Sequence, residues 1–253
     1  MNNDYTIAQE YTLPSEGKVY TQNGDVKSRL KLRSMTTVEE MKRLNHSDRP
    51  NKLIAEIIDD CLLENIGISA YDMCLPDFQY ALHKLRVVTY GPDYKVQTVC
   101  PFCASDNEHV MNLEALNVIP FDQELFDKYS EFVLPVSKDT IKLRLQTPRL
   151  LDNVKLQSKE MKKKNPSGGE PTFLLTLESL IDTVNGKRME KFKIPGYLKN
   201  LSMMDTNYIL KASEKLNNSF GIDGKMYHVC NICGLDYTSN FRTTSEFFGP
   251  SID

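Results

Sequence analysis

The chain has 253 residues, 40% of them apolar, which is enough to bury a sizeable core in one large domain or two modest ones. With 26% charged residues, a formal net charge of -3 and a pI of about 5.9, it has no overall electrostatic pull toward nucleic acid or anionic lipid, so specific protein partners are expected. Residues 1–10 lack the basic start and apolar run of a signal peptide, and no apolar stretch nears the roughly 20 residues that span a bilayer, so a soluble protein made in a reducing cytoplasm is expected.

Residues 1–25 read as an extended surface arm, because Pro14 and Gly17 interrupt any helix or central strand. Residues 26–32 alternate Val26, Ser28, Leu30 and Leu32 with Lys27, Arg29 and Lys31, the pattern of a half-buried strand with one basic face. Two overlapping capping boxes in Thr36-Thr37-Val38-Glu39-Glu40 start a short helix. Pro50 at a first helical position, followed by apolar residues at helical spacing, predicts a second helix that runs toward Gly67. A third opens at Pro76-Asp77 and carries Phe78, Ala81, Leu82 and Leu85 on one side. Residues 26–93 are thus a mainly helical region.

From Tyr94 the hydrophobic period changes to two. Residues 94–99 alternate and run straight into Cys100-Pro101-Phe102-Cys103, with 109–113 as a return strand. Residues 132–136 and 141–145 pair as a hairpin around Ser137-Lys138-Asp139. A helix over 149–164 ends in a lysine run that complements its macrodipole and is read as a solvated face, before the breaker Asn165-Pro166-Ser167-Gly168-Gly169. Helices at 172–184 and 205–217 are linked through the turn Ile194-Pro195-Gly196, and a strand at 226–229 leads into Cys230-Asn231-Ile232-Cys233-Gly234. The expected class is α+β: a helical N-terminal part, then a zinc-clasped region over 94–253 with a helical insertion at about 146–217 between two knuckles.

Cys100, Cys103, Cys230 and Cys233 carry the chemistry. Two residues between paired cysteines let one tight turn present both thiolates to one metal, and two such turns complete the tetrahedral shell of a structural zinc ion. Gly234 follows the second pair, where positive φ relieves the turn, while Ala104 stands at the equivalent place in the first. The segment between the pairs is far longer than in zinc fingers and ribbons, so the ion would be a long-range clasp whose removal loosens the C-terminal region.

Competing readings are weaker. Cys100-Pro101-Phe102-Cys103 looks like a glutaredoxin-type motif, but a polar turn follows where redox catalysis needs a helix, and the second pair would have no purpose. Two disulfides suit neither the spacing nor the compartment. His109 and His228 are read as strand or outer-shell residues, and Cys61 and Cys74 as small buried hydrophobes. Phosphate loops, His-Glu-x-x-His and Gly-x-Ser-x-Gly do not occur, and a closed thiolate shell leaves no coordination position for substrate, so no enzymatic activity is expected.

Taken in order, several segments resemble the baseplate hub proteins of T-even-type contractile-tailed bacteriophages. They are the run from Tyr11-Thr12-Leu13-Pro14-Ser15-Glu16-Gly17 to Tyr20, the block from Leu32-Arg33-Ser34 to Glu40, residues 51–63 and 77–86, then Thr89-Tyr90-Gly91-Pro92-Asp93-Tyr94 and the cysteine pair after it. The likeness covers roughly the first 115 residues and continues only through the second knuckle. It implies a structural or assembly component of the baseplate hub, binding other hub and tail proteins, found in the virion tail or in the host cytoplasm during assembly. The arm would then add to a neighbour's sheet edge or groove. The rival from another class is a zinc-ribbon nucleic-acid-binding regulator, which calls for basic and aromatic residues around the knuckles, where Asp106, Glu108 and Asp236 stand.

Overall fold

In a computed structural model that describes residues 7–20, 25–190, 192–241 and 247–248, the N-terminal third folds back on itself. β1 (Ala8–Thr12) pairs antiparallel with β2 (Arg29–Arg33), Tyr11 opposite Leu30. α1 (Thr37–Arg43) begins at the capping box of Thr36 and Glu39; the Arg33 guanidinium, 2.7 Å from Glu39, helps to hold that carboxyl at about 2. α2 (Pro50–Cys61) ends before the Gly67 breaker because Leu62 turns extended and bridges Leu32 of β2. α3 (Leu75–Tyr90) is buried along most of its length and ends at Gly91, whose φ of +87° suits a glycine stop.

Of the arm expected over 1–25, residues 1–6 and 21–24 lie outside the described residues, and the described part is not a free surface segment. Its residues 8–12 are extended but already paired within the chain, and the continuation turns inward to bury Leu13, Ser15 and Tyr20. Asp77 in the first turn of α3 is the cause: its buried carboxylate accepts hydrogen bonds from the Ser15 N–H at 3.0 Å, from the Ser15 hydroxyl, and from the Tyr20 hydroxyl at 2.6 Å. A buried carboxylate needs such donors, and the Pro-Ser-Glu-Gly turn supplies them.

β3 (Asp93–Val99) and β4 (Asp106–Asn112) form one antiparallel hairpin. A short strand β5 (Val118–Ile119) and helix α4 (Gln123–Ser130), neither foreseen from the sequence, lead into β6 (Glu131–Val133) and β7 (Thr140–Leu143). After the long α5 (Pro148–Lys164), the single helix expected over 172–184 divides into α6 (Pro171–Leu180) and β8 (Ile181–Val184), which adds a third strand beside β7. Ile181 and Val184 are both buried there, and β-branched side chains fit that pleated surface. The turn expected at Ile194-Pro195-Gly196 is instead the first turn of α7 (Ile194–Asn200), since proline is as well suited to a helix start as to a turn. α8 (Met203–Asn217), β9 (Gly221–Ile222) paired with β5, and a second hairpin of β10 (Lys225–Val229) and β11 (Asp236–Asn240) complete the described fold.

Two main cores result. One lies between β1–β2 and α2–α3 and takes in Leu113, Phe247 and Phe248; the other gathers Leu134, Ile141, Leu180, Ile209 and Leu216 between β6–β8 and α6–α8. Tyr20, Cys74 and Phe220, with Phe121 and Leu145 against them, fill the seam. Asp152 of α5 adds a polar tie. Fully buried, it accepts from the Lys52 N–H at 3.0 Å, the Asn51 side-chain amide at 2.9 Å and the Tyr71 hydroxyl at 3.2 Å, and so caps α2, whose own N-cap Arg49 makes no side-chain bond. Asp152→Ala should leave these donors without a partner and lower stability by roughly 1–3 kcal/mol, measurable as a fall in the urea midpoint with little change in slope.

Candidate metal centre

The two hairpins present their cysteines from matching turns. β3 and β4 are joined by residues 100–105 after the Val99–Asp106 pair, and β10 and β11 by residues 230–235 after the Val229–Asp236 pair. In the first turn the Ala104 N–H bonds to the Cys100 carbonyl and the Cys100 N–H to the Ser105 carbonyl, each at 2.9 Å; in the second, Gly234 and Cys230 pair in the same way at 2.9 Å and Cys230 and Leu235 at 3.0 Å. Ala104 takes φ 56° and Gly234 φ 73°, so the alanine occupies the left-handed position that its glycine counterpart fills without strain.

The sulfur atoms converge. Cys100 Sγ lies 3.8 Å from Cys233 Sγ, Cys103 Sγ lies 3.6 Å from Cys230 Sγ, and all four fall within 4.8 Å of one another. Four sulfurs at about 2.3 Å from a common ion in a tetrahedron are separated by about 3.8 Å along each edge. That spacing is far beyond the roughly 2.05 Å of a disulfide, and all six cysteines are free. The four expected ligand residues are therefore brought together in an arrangement that could hold one metal ion. Cys100 and Cys230 form the buried floor and Cys103 and Cys233 the exposed rim.

Polar groups around two of the sulfurs, Cys230 and Cys103, favour thiolates, whereas Cys233 is raised to about 12, the backbone bond from Leu235 being outweighed by desolvation and by its bonds to the other three thiols. Backbone N–H groups of Cys233 and Ile232 point at Cys230 Sγ from 3.5 and 3.4 Å. The Cys233 N–H, then Ser105, pull the Cys230 thiol down to about 5, and bonds from the Ser105 hydroxyl and backbone lower Cys103 as well. Ser105 and Asn107 were not singled out from the sequence, yet they link the knuckles. Ser105 Oγ sits 3.0 Å from Cys103 Sγ and 3.3 Å from Cys230 Sγ; Asn107 points its amide at Cys230 Sγ from 3.6 Å and accepts the Asn231 N–H at 2.8 Å. The signal available was the strand alternation of 106–112, which turns Asn107 inward.

His109 and His228 lie behind the sulfurs, stacked on each other at 4.4 Å between ring centroids, not among them. Tyr237 ties this layer together, its hydroxyl 3.1 Å from His109 Nε2 and 2.6 Å from Thr98 Oγ1, while His228 Nε2 meets Ser239 Oγ at 2.8 Å. Burial, then the neighbouring imidazole, holds His228 below its usual range. The other two cysteines are remote: Cys61 is a core residue whose thiol burial pushes up to about 12, and Cys74 packs against the Tyr20 hydroxyl at 3.2 Å.

A Cβ added at Gly234 would meet nothing within 4 Å, so only backbone strain opposes a side chain there. Gly234→Ala is expected to cost about 1 kcal/mol, the left-handed strain less the gain from a stiffer unfolded chain. Ala104→Gly should stabilise by a similar amount, on the order of 1 kcal/mol or less, because the two turns match and the same two effects act with opposite sign. Thermal midpoints of the two variants, one lowered and the other raised, check this.

Among the described residues no helix is long and apolar enough to cross a membrane. No curated protein and no solved structure matches the chain. The sequence model of one family, described as T4 bacteriophage base plate protein, matches residues 6–249, nearly the whole length and both cysteine pairs. The chain therefore belongs to the T4 bacteriophage base plate protein family.

Proposed function

We propose that the chain is a non-enzymatic structural or assembly component of the central hub of a contractile-tailed phage baseplate, binding other tail proteins, and that Cys100, Cys103, Cys230 and Cys233 hold a structural zinc ion. The family match over 6–249 carries the baseplate reading; the narrower hub assignment rests on the likeness of the N-terminal segments set out above. Zinc is favoured by the chemistry of the donors, since four thiolates in tetrahedral array suit zinc and, among common metals, otherwise iron. Four sulfurs completing one shell also leave no open position at which substrate or water could be activated, which supports a structural role. The nucleic-acid reading finds exposed Asp106, Glu108 and Asp236 on the knuckle strands, charges that oppose a phosphate backbone.

The clasp works locally. Among the described residues the buried apolar cluster that the hairpins share is small, Cys100, Cys230 and Tyr237, and a two-stranded sheet is marginal in water on its own. The core around Ile209 contains no cysteine. Elemental analysis should therefore find one zinc per chain, and chelation should speed amide exchange in 93–112 and 225–240 while α5–α8 stay protected. Zinc-free protein with unchanged exchange in both hairpins would sink the clasp. Cryo-electron microscopy of intact tails should place the chain at the baseplate centre; density at the periphery alone would refute the hub assignment.

A further inference from the structure

The end of the molecule that carries the four sulfurs is apolar where it should be polar. Phe102 and Ile232 occupy the same position in their two turns and are 61% and 74% exposed. Val99, Val229 and Leu235, flanking the turns, are each at least half exposed. Apolar side chains scattered singly need no explanation, but here they sit at matching places on two turns whose sulfurs converge. Each is fixed within its turn by backbone bonds, and an ion held by the four sulfurs would fix the two turns relative to each other, so little ordering cost would remain on binding.

The charge around them is of one sign. Residues 96–111 and 226–241 contain no lysine or arginine, and Asp106, Glu108 and Asp236 are exposed beside the turns. A divalent ion with four thiolates adds a further net negative charge. Such a surface repels nucleic acid and anionic lipid, and it also repels a second copy of itself. What it complements is an apolar pocket with a cationic rim.

We propose that the paired knuckle tips, Phe102 and Ile232 above all, are a docking plug for an apolar, lysine- or arginine-rimmed pocket on another baseplate protein. This inference rests on the baseplate-component reading. The metal then acts in assembly by holding two apolar fingertips at a fixed separation, and the acidic rim supplies orientation and salt dependence.

The probe is the set of baseplate intermediates from an infection in which this chain is not made, mixed with the purified full-length chain and sedimented. The unaltered chain should join them. Phe102→Ser with Ile232→Ser should reduce joining at least tenfold with metal content and circular dichroism unchanged, whereas Phe102→Leu with Ile232→Val should join normally. Glu108→Lys with Asp236→Lys should weaken joining several-fold and flatten its dependence on salt. Equal joining by the double serine variant overturns the plug and leaves the baseplate reading standing; failure of the unaltered chain itself overturns both. Binding to phosphatidylethanolamine–phosphatidylglycerol vesicles that the serine pair abolishes, without effect on the intermediates, would mean a lipid partner and overturns the protein pocket.

Discussion

Sulfur atoms of Cys103 and Cys230, 127 positions apart in sequence, lie 3.6 Å from each other. The tips of two short hairpins depend on that convergence, since the apolar cluster they share is small, while Tyr94 and Met111 anchor the far end of the first hairpin on the larger core. The layer behind the sulfurs, with stacked His109 and His228 and the Tyr237 hydroxyl reaching to Thr98, is polar and thin. Such a layer gives orientation more than adhesion, and strong bonds to a shared ion would supply the adhesion.

The rest of the molecule is joined by a different device used three times. Asp77, Asp152 and Asp205 are each fully buried, and each accepts hydrogen bonds from backbone N–H groups of a distant segment: Asp77 from Ser15, Asp152 from Asn51 and Lys52, Asp205 from Val136 and Ser137. An aspartate is short enough to be held rigidly and accepts several bonds at once, so it can terminate one element and fix another in the same step. Between them these three residues set the N-terminal turn on α3, α5 on α2, and the β6–β7 loop on α8.

Local signals in the sequence were legible where one residue type had one use. The Thr36–Glu39 box, the proline at the head of α2 and the alternation of 94–99 each correspond to the element built, and the two Cys-x-x-Cys turns, readable by spacing, do converge. Signals with two uses misled. Ile194-Pro195-Gly196 fits a turn or a helix start, and only packing of Ile194 and Leu198 in the second core decides for the helix. Residues 181–184 continue an apolar helical pattern, yet pairing with β7 offers them a better burial. The role of residues 11–20 was hidden because it depends on Asp77, sixty-two positions from Ser15, and no local pattern announces a long-range acceptor.

Phe247 and Phe248 belong to the same core as Leu30, Ile58 and Leu85. A ribosome adding about 5–20 residues per second finishes the helices of that core on the order of ten seconds before it delivers the two rings. Meanwhile the nascent chain exposes an unfilled site where His83 of α3 and Tyr94 of β3 await Phe247. A chain without these two residues leaves the first-made core short of two aromatic rings, so a segment remote in sequence from β2 and the helices is needed to close the packing that they begin.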